Sequence, residues 1–198
     1  MKDFRKSLSL PSTMLSIFAG ILVLCGGDAW ASIQGTDFRG TVTVTTESLF
    51  GMNGTKTLKL DVNGDGVLET LDIYVRQVGY VLSIRDAGEE VPIASFDDLK
   101  GEPTLNIAAS YLVSPKKPVV VINLVQGEAA GDSLVIFDIV RTVRGLEAMP
   151  LLSEQAAWAD GHVVLKPNCV EIRTFRDWAV AKFLWDGSEF VKQKIEEK

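Results

Sequence analysis

Residues 57–76 read TLKLDVNGDGVLETLDIYVR, and the pattern on either side of the acidic centre decides the fold. Apolar residues fall at every second position, at Leu58, Leu60 and Val62 before the centre and at Leu71, Ile73 and Val75 after it. A strand turns successive side chains to opposite faces, whereas a helix needs apolar residues three and four apart. The stretch is therefore two strands joined by a glycine-rich loop. Thr41–Thr46 (TVTVTT), Tyr80–Ile84, Pro118–Val125, Leu134–Val140, Cys169–Thr174 and Ala179–Trp185 add β-branched or apolar runs bounded by Gly, Asp, Asn and Pro. Short runs so bounded predict an all-β, mainly antiparallel fold. One or two short helices are expected. Ser95–Lys100 has Ser95 as a cap and Gly101 past its end, and Pro150–Ala159 opens on proline with Gly161 beyond. Pro115–Pro118 (PKKP) reads as a strand boundary rather than a linker, because strands resume at once.

The centre of the opening stretch, DVNGDGVLE at 61–69, carries the most specific chemistry in the chain. Asp61, Asn63, Asp65 and Glu69 stand at positions one, three, five and nine, and Val67 is placed to offer its carbonyl. Hard cations such as Ca²⁺ take about six to eight oxygen ligands from carboxylates, carboxamides and backbone carbonyls. Gly64 and Gly66 permit the tight winding that lets such oxygens converge. The expected cofactor is one Ca²⁺, structural rather than catalytic, because every ligand comes from one local loop. An EF-hand would place this string between helices and use position twelve, here Asp72. The period-two flanks argue instead for a strand–loop–strand site.

LDVNGDGVLETLDIYV resembles the calcium loop of FG-GAP/VCBS repeats, the blade units of integrin-type β-propellers. That resemblance implies Asp61, Asn63, Asp65 and Glu69 as side-chain ligands and Val67 as a carbonyl ligand; the family more often has Asp at the place of Glu69. It covers about thirty residues strongly. Val119–Met149 and Val170–Val191 resemble further units without ligands, the latter ending in the FLWDGSEFV hairpin. Blade-type repeats run about 40–50 residues and closed propellers need about four to eight blades. The expectation is therefore an open, blade-like assembly of about three units, with a β-sandwich as the alternative.

Residues 1–31 have the features of an export signal. Lys2, Arg5 and Lys6 precede an apolar run, Met14–Leu24, and Ala29-Trp30-Ala31 supplies a small-x-small cleavage pattern. A bilayer-spanning helix needs about 20 apolar residues, so no integral membrane span is expected in residues 32–198, which are taken as one β-rich domain. The expected location is periplasmic or secreted; a lipid anchor at Cys25 is the alternative. The net charge is −6, and an acidic balance repels phosphate backbones, which argues against nucleic acid. A protein or glycan ligand is the expected partner. Cys169 reads as a small buried hydrophobe, His162 as a turn or strand-end residue, and Trp158, Trp178, Trp185 and Phe190 as core. No phosphate loop, HExxH or GxSxG occurs. A non-enzymatic binding or envelope-associated protein is the expectation, with an envelope-polymer hydrolase as the competing class.

Overall fold

The run VVVINLV at 119–125 is buried at every position except its last. A strand apolar on both faces has to be covered on both, and the computed structural model, which describes residues 33–75, 79–86, 88–96, 103–126, 132–156, 161–174 and 176–195, covers it with a sheet on either side. The fold is all-β and mostly antiparallel, with no helix and no closed barrel among the described residues.

Three four-stranded meanders follow one another along the chain. The first is β4 (Thr55–Leu60), β5 (Glu69–Val75), β6 (Tyr80–Asp86) and β7 (Glu89–Phe96). The second is β8 (Thr104–Ser110), β9 (Val119–Val125), β10 (Asp132–Thr142) and β11 (Gly145–Ala156); the third is β12 (Gly161–Lys166), β13 (Cys169–Thr174), β14 (Ala179–Trp185) and β15 (Phe190–Gln193). The N-terminal strands β1 (Ile33–Asp37), β2 (Gly40–Thr41) and β3 (Thr45–Ser48) extend two of these sheets. β1 adds to β12 in parallel and β3 adds to β8 antiparallel, so residues 33–48 tie the third meander to the second. Gly35 sits in that seam at φ +115°, where a Cβ would lie 2.2 Å from the Leu165 carbonyl oxygen. Only glycine permits so close an approach.

The second meander is the middle layer. Val120, Ile122 and Leu124 join Leu71, Ile73, Leu82 and Ile84 of the first meander in one core, while Val119 and Val121 join Val163, Leu165, Ile172 and Phe183 of the third in another. The two outer faces are sealed by clamped carboxylates. Asp72 is buried between Arg85 and Thr57, whose Oγ1 donates to it at 2.7 Å. Glu171 accepts from Lys166 Nζ at 2.9 Å and Arg173 Nε at 2.8 Å. Burial alone would push the Glu171 carboxyl up, but these hydrogen bonds outweigh it and hold the group below its ordinary range.

The first two meanders also share a motif in their last strand, EEVPIAS at 89–95 and EAMPLLS at 147–153. In both, the residue after proline is an extra one: Ile93 lies between the pairs Leu82–Ala94 and Ser83–Pro92, and Leu151 between Ile136–Leu152 and Phe137–Pro150. Each bulge turns its apolar residue into a core.

Several expectations change. Residues 150–156 belong to β11 and not to a helix, because Pro150 stands at a bulge on an edge strand, where proline is tolerated, and Leu151 and Leu152 are both buried. Of the other expected helix, Ser95 and Phe96 end β7, and 97–100 lie outside the described residues. TVTVTT is interrupted: β2 ends at Thr41, β3 begins at Thr45, and between them Val42 and Val44 pack partly buried against a core, with Val42 N–H donating to the Gly35 carbonyl at 3.2 Å. The stack has three layers, one more than a β-sandwich. Residues 1–31, Cys25 and Trp158 lie outside the described residues. No helix among the described residues is long and apolar enough to cross a membrane.

Candidate metal site

Residues 61–68 connect β4 to β5, so the acidic loop is flanked by strands on both sides. Val62 is fully buried and pins the loop to the core shared by the first two meanders. Gly64 and Gly66 take φ of +79° and +86°, conformations that a side chain disfavours. Gly64 also fits tightly: a Cβ there would stand 2.8 Å from Pro118 Cδ and 3.4 Å from the Tyr111 hydroxyl. The loop therefore rests directly on residues 111–118, the corresponding connection of the second meander.

The side chains hold the loop's own backbone. Asp61 accepts from Gly64 N–H at 2.6 Å and Gly66 N–H at 3.0 Å. Asn63 Oδ1 accepts from Asp65 N–H at 2.8 Å, and Asp65 accepts from Val67 N–H at 2.7 Å. Glu69 is 5% exposed; its Oε2 accepts from Val62 N–H at 2.8 Å. The Asn63 amide group bridges two of the carboxylates, donating to Glu69 Oε1 at 2.7 Å and to Asp65 Oδ2 at 3.1 Å. Burial pushes the Glu69 carboxyl up, and the nearby charges of Asp65 and Asp61 push it further, against the hydrogen bond from Val62.

Asp61, Asn63, Asp65 and Glu69 are thus linked in one hydrogen-bonded loop, with Val67 beside them and exposed. The donor set is all oxygen and carries three carboxylates, which fits a hard divalent cation and no soft one. Each carboxylate oxygen keeps lone-pair capacity beyond the bond it accepts. Among the described residues no three Asp, Glu, His or Cys groups are drawn together tightly enough to grip an ion as they stand. Occupancy would have the Asn63 amide turn its oxygen inward, away from the two carboxylates it now bridges. Asp72 takes no part, since it faces the outer side of the sheet under Arg85.

The remaining candidates are structural. Cys169 is buried, and burial followed by the charge of Glu171 raises its thiol, which leaves it a poor nucleophile. His162, the second residue of β12, lies opposite Arg173, whereas Cys169 lies opposite Lys166. Four residues along a strand separate them by roughly 13 Å, so they form no catalytic pair. His162 Nε2 is 3.5 Å from Asp177 Oδ1. Phe190 is buried and Trp185 packs on the core, with ring centroids 5.3 Å apart, but Trp178 is 67% exposed.

One feature gave no readable sequence signal. Between the edge strands β11 and β15 lies a cleft of about 380 Å³ walled by residues 150–154 on one side and Glu189, Phe190 and Lys192 on the other, with Phe183 at its floor. The apolar pair Leu151-Leu152 after a proline resembled a helix start, which hid the edge strand. Comparisons with family models, with curated proteins and with solved structures return no match to the chain.

Proposed function

We propose that this chain is an exported, non-enzymatic binding module whose first meander is fastened by one Ca²⁺ in the 61–69 loop. In this reading the three meanders are blade-type units of the FG-GAP/VCBS kind, stacked without closing, and the protein works in the periplasm or outside the cell on a protein or glycan ligand. The observation that carries it is the Asn63 amide standing between the Glu69 and Asp65 carboxylates, at the point where a cation would neutralise them. Two carboxylates held this close to Asp61, one of them buried, repel one another, and a bound cation relieves that repulsion.

Asp61, Asn63, Asp65 and Glu69 would hold the ion with the Val67 carbonyl. The ion would supply charge neutralisation and cross-linking, with no chemistry on a substrate. The chain itself contributes the buried Val62 anchor and the two left-handed glycines that fix the loop's path. Calorimetric titration of Ca²⁺ into the purified protein tests the reading. Binding heat at millimolar Ca²⁺ is expected, lost in Asp61→Ala and Asp65→Ala and retained in Asp72→Ala. Heat that survives Asp61→Ala, or no heat at all, contradicts it.

A further inference from the structure

We propose that the cleft between β11 and β15 takes up a short, extended, basic peptide of a partner protein as an added strand on β11. The proposal names the partner class for the binding reading above and rests on it.

An edge strand exposes a row of backbone donors and acceptors, and proteins usually blunt such edges with proline, lysine, shortness or a cover. The other edges here are blunted. β4 carries Lys56 and Lys59, β7 ends at Phe96, soon after its bulge proline Pro92, β2 and β3 have two and four residues, and β15 has four with Lys192 among them. β11 differs along its length. It runs for 12 residues and pairs, among the described residues, with β10 alone. Its first part is covered, because Glu89 accepts from Leu146 N–H at 3.1 Å and pairs with Arg141 at 3.3 Å. Beyond Pro150 it continues as LLSEQA, with neither proline nor lysine.

This part, which no other described strand pairs, borders the cleft, for residues 150–154 form one of its walls consecutively. A volume of about 380 Å³ lies at the low end of ligand pockets, which span about 300–1,000 Å³, and suits a few extended residues. Glu154 and Glu189 against Lys192 give the walls a net negative charge. Glu154 bonds to Lys192 across the cleft at 2.5 Å, so an incoming cationic side chain can replace that partner without leaving the carboxylate alone. Strand addition draws affinity from main-chain hydrogen bonds and selectivity from alternate side chains.

The test is a titration of the ¹⁵N-labelled protein with the capped peptide Val-Lys-Val-Lys-Val, followed by amide chemical shifts. Shifts confined to residues 151–155 and 190–192 are expected, with affinity at least about tenfold weaker for Val-Glu-Val-Glu-Val and in the Glu154→Gln/Glu189→Gln double variant. An N-methylated version of the basic peptide, which lacks the donors a strand must present, should give no shift. No shift with the basic peptide, shifts elsewhere, or equal shifts with the N-methylated peptide overturn the proposal. Ca²⁺ heat measured on the same sample separates the two readings. Heat without peptide shifts overturns the cleft proposal alone, and peptide shifts without heat overturn the ion alone.

Discussion

The connections 61–68 and 111–118 occupy the same place in successive meanders and touch at Gly64 and Pro118, yet they are held in opposite ways. The first is fixed from within, by Asp61, Asn63 and Asp65 accepting from backbone N–H groups two to five residues away. The second has one such local bond, from Lys116 N–H to Ser114 Oγ at 3.1 Å, and is otherwise fixed from without. Leu112 is fully buried, and its carbonyl accepts from Asn168 N–H at 2.8 Å. Tyr111 N–H donates to Asp37 at 2.6 Å, Arg39 lies 3.7 Å over the Tyr111 ring, and Arg39 Nε donates to the Pro115 carbonyl at 3.0 Å. A loop ordered by local side-chain bonds can yield to an ion that competes for those side chains. A loop ordered by distant segments has no such freedom.

The contrast breaks most visibly at Leu112. Leu112→Ala should lower stability by about 2–5 kcal/mol, equally with calcium and with chelator, as a buried leucine truncation does. Urea unfolding in both conditions measures this, and a calcium-dependent loss would show that the two loops are coupled. Next comes Gly64. Gly64→Ala should cost about 1–3 kcal/mol from its left-handed backbone, plus the clash with Pro118, whereas Gly66→Ala meets nothing within 4 Å and should cost less. Equal losses would mean that the first loop does not rest on the second.

A finer test concerns Glu69, whose folded pKa lies above its ordinary value of 4.5. In the absence of calcium this group contributes stability that is present below that value and lost as pH rises through the folded one. Glu69→Gln should therefore remove any calcium response, and its calcium-free stability should fall less steeply with rising pH. Thermal melts in chelator across pH 4–8 check the sign; a Glu69→Gln protein whose stability falls as steeply with rising pH as the parent's contradicts it. The smallest effect belongs to Lys117, which pairs with Asp138 at the surface. Lys117→Ala should change stability by about 1 kcal/mol or less.

The same contrast explains what could be read from sequence. Strands flanking the acidic loop were legible because Leu58, Leu60, Leu71 and Ile73 alternate with polar residues, and the loop's oxygens were legible because their spacing is local. The middle layer was not, since Val119 and Val121 face one core while Val120 and Ile122 face another, and an uninterrupted apolar run does not say how many sheets cover it. β11 reads as a helix start because proline followed by Leu151 and Leu152 matches one as well as a bulged edge, and packing against two neighbouring sheets settles it as a strand. Trp178 reads as core because large aromatics usually fill the space between β layers, although its place before β14 leaves it in solvent.

The central claim, that 61–69 is a cation cradle stabilising the first meander, is tested most directly by comparing thermal melts in chelator and in about 10 mM calcium. For an extracellular-type affinity of about 10⁻⁴–10⁻³ M, binding to the folded state adds about 1.4–2.7 kcal/mol. That corresponds to a rise of about 3–10 °C for a chain of this size. A smaller rise is expected in magnesium, which requires stricter octahedral geometry, and none in Asp61→Ala. Coincident melts in calcium and chelator would show that the loop is held by its own hydrogen bonds alone and that the account of it as an ion site is wrong.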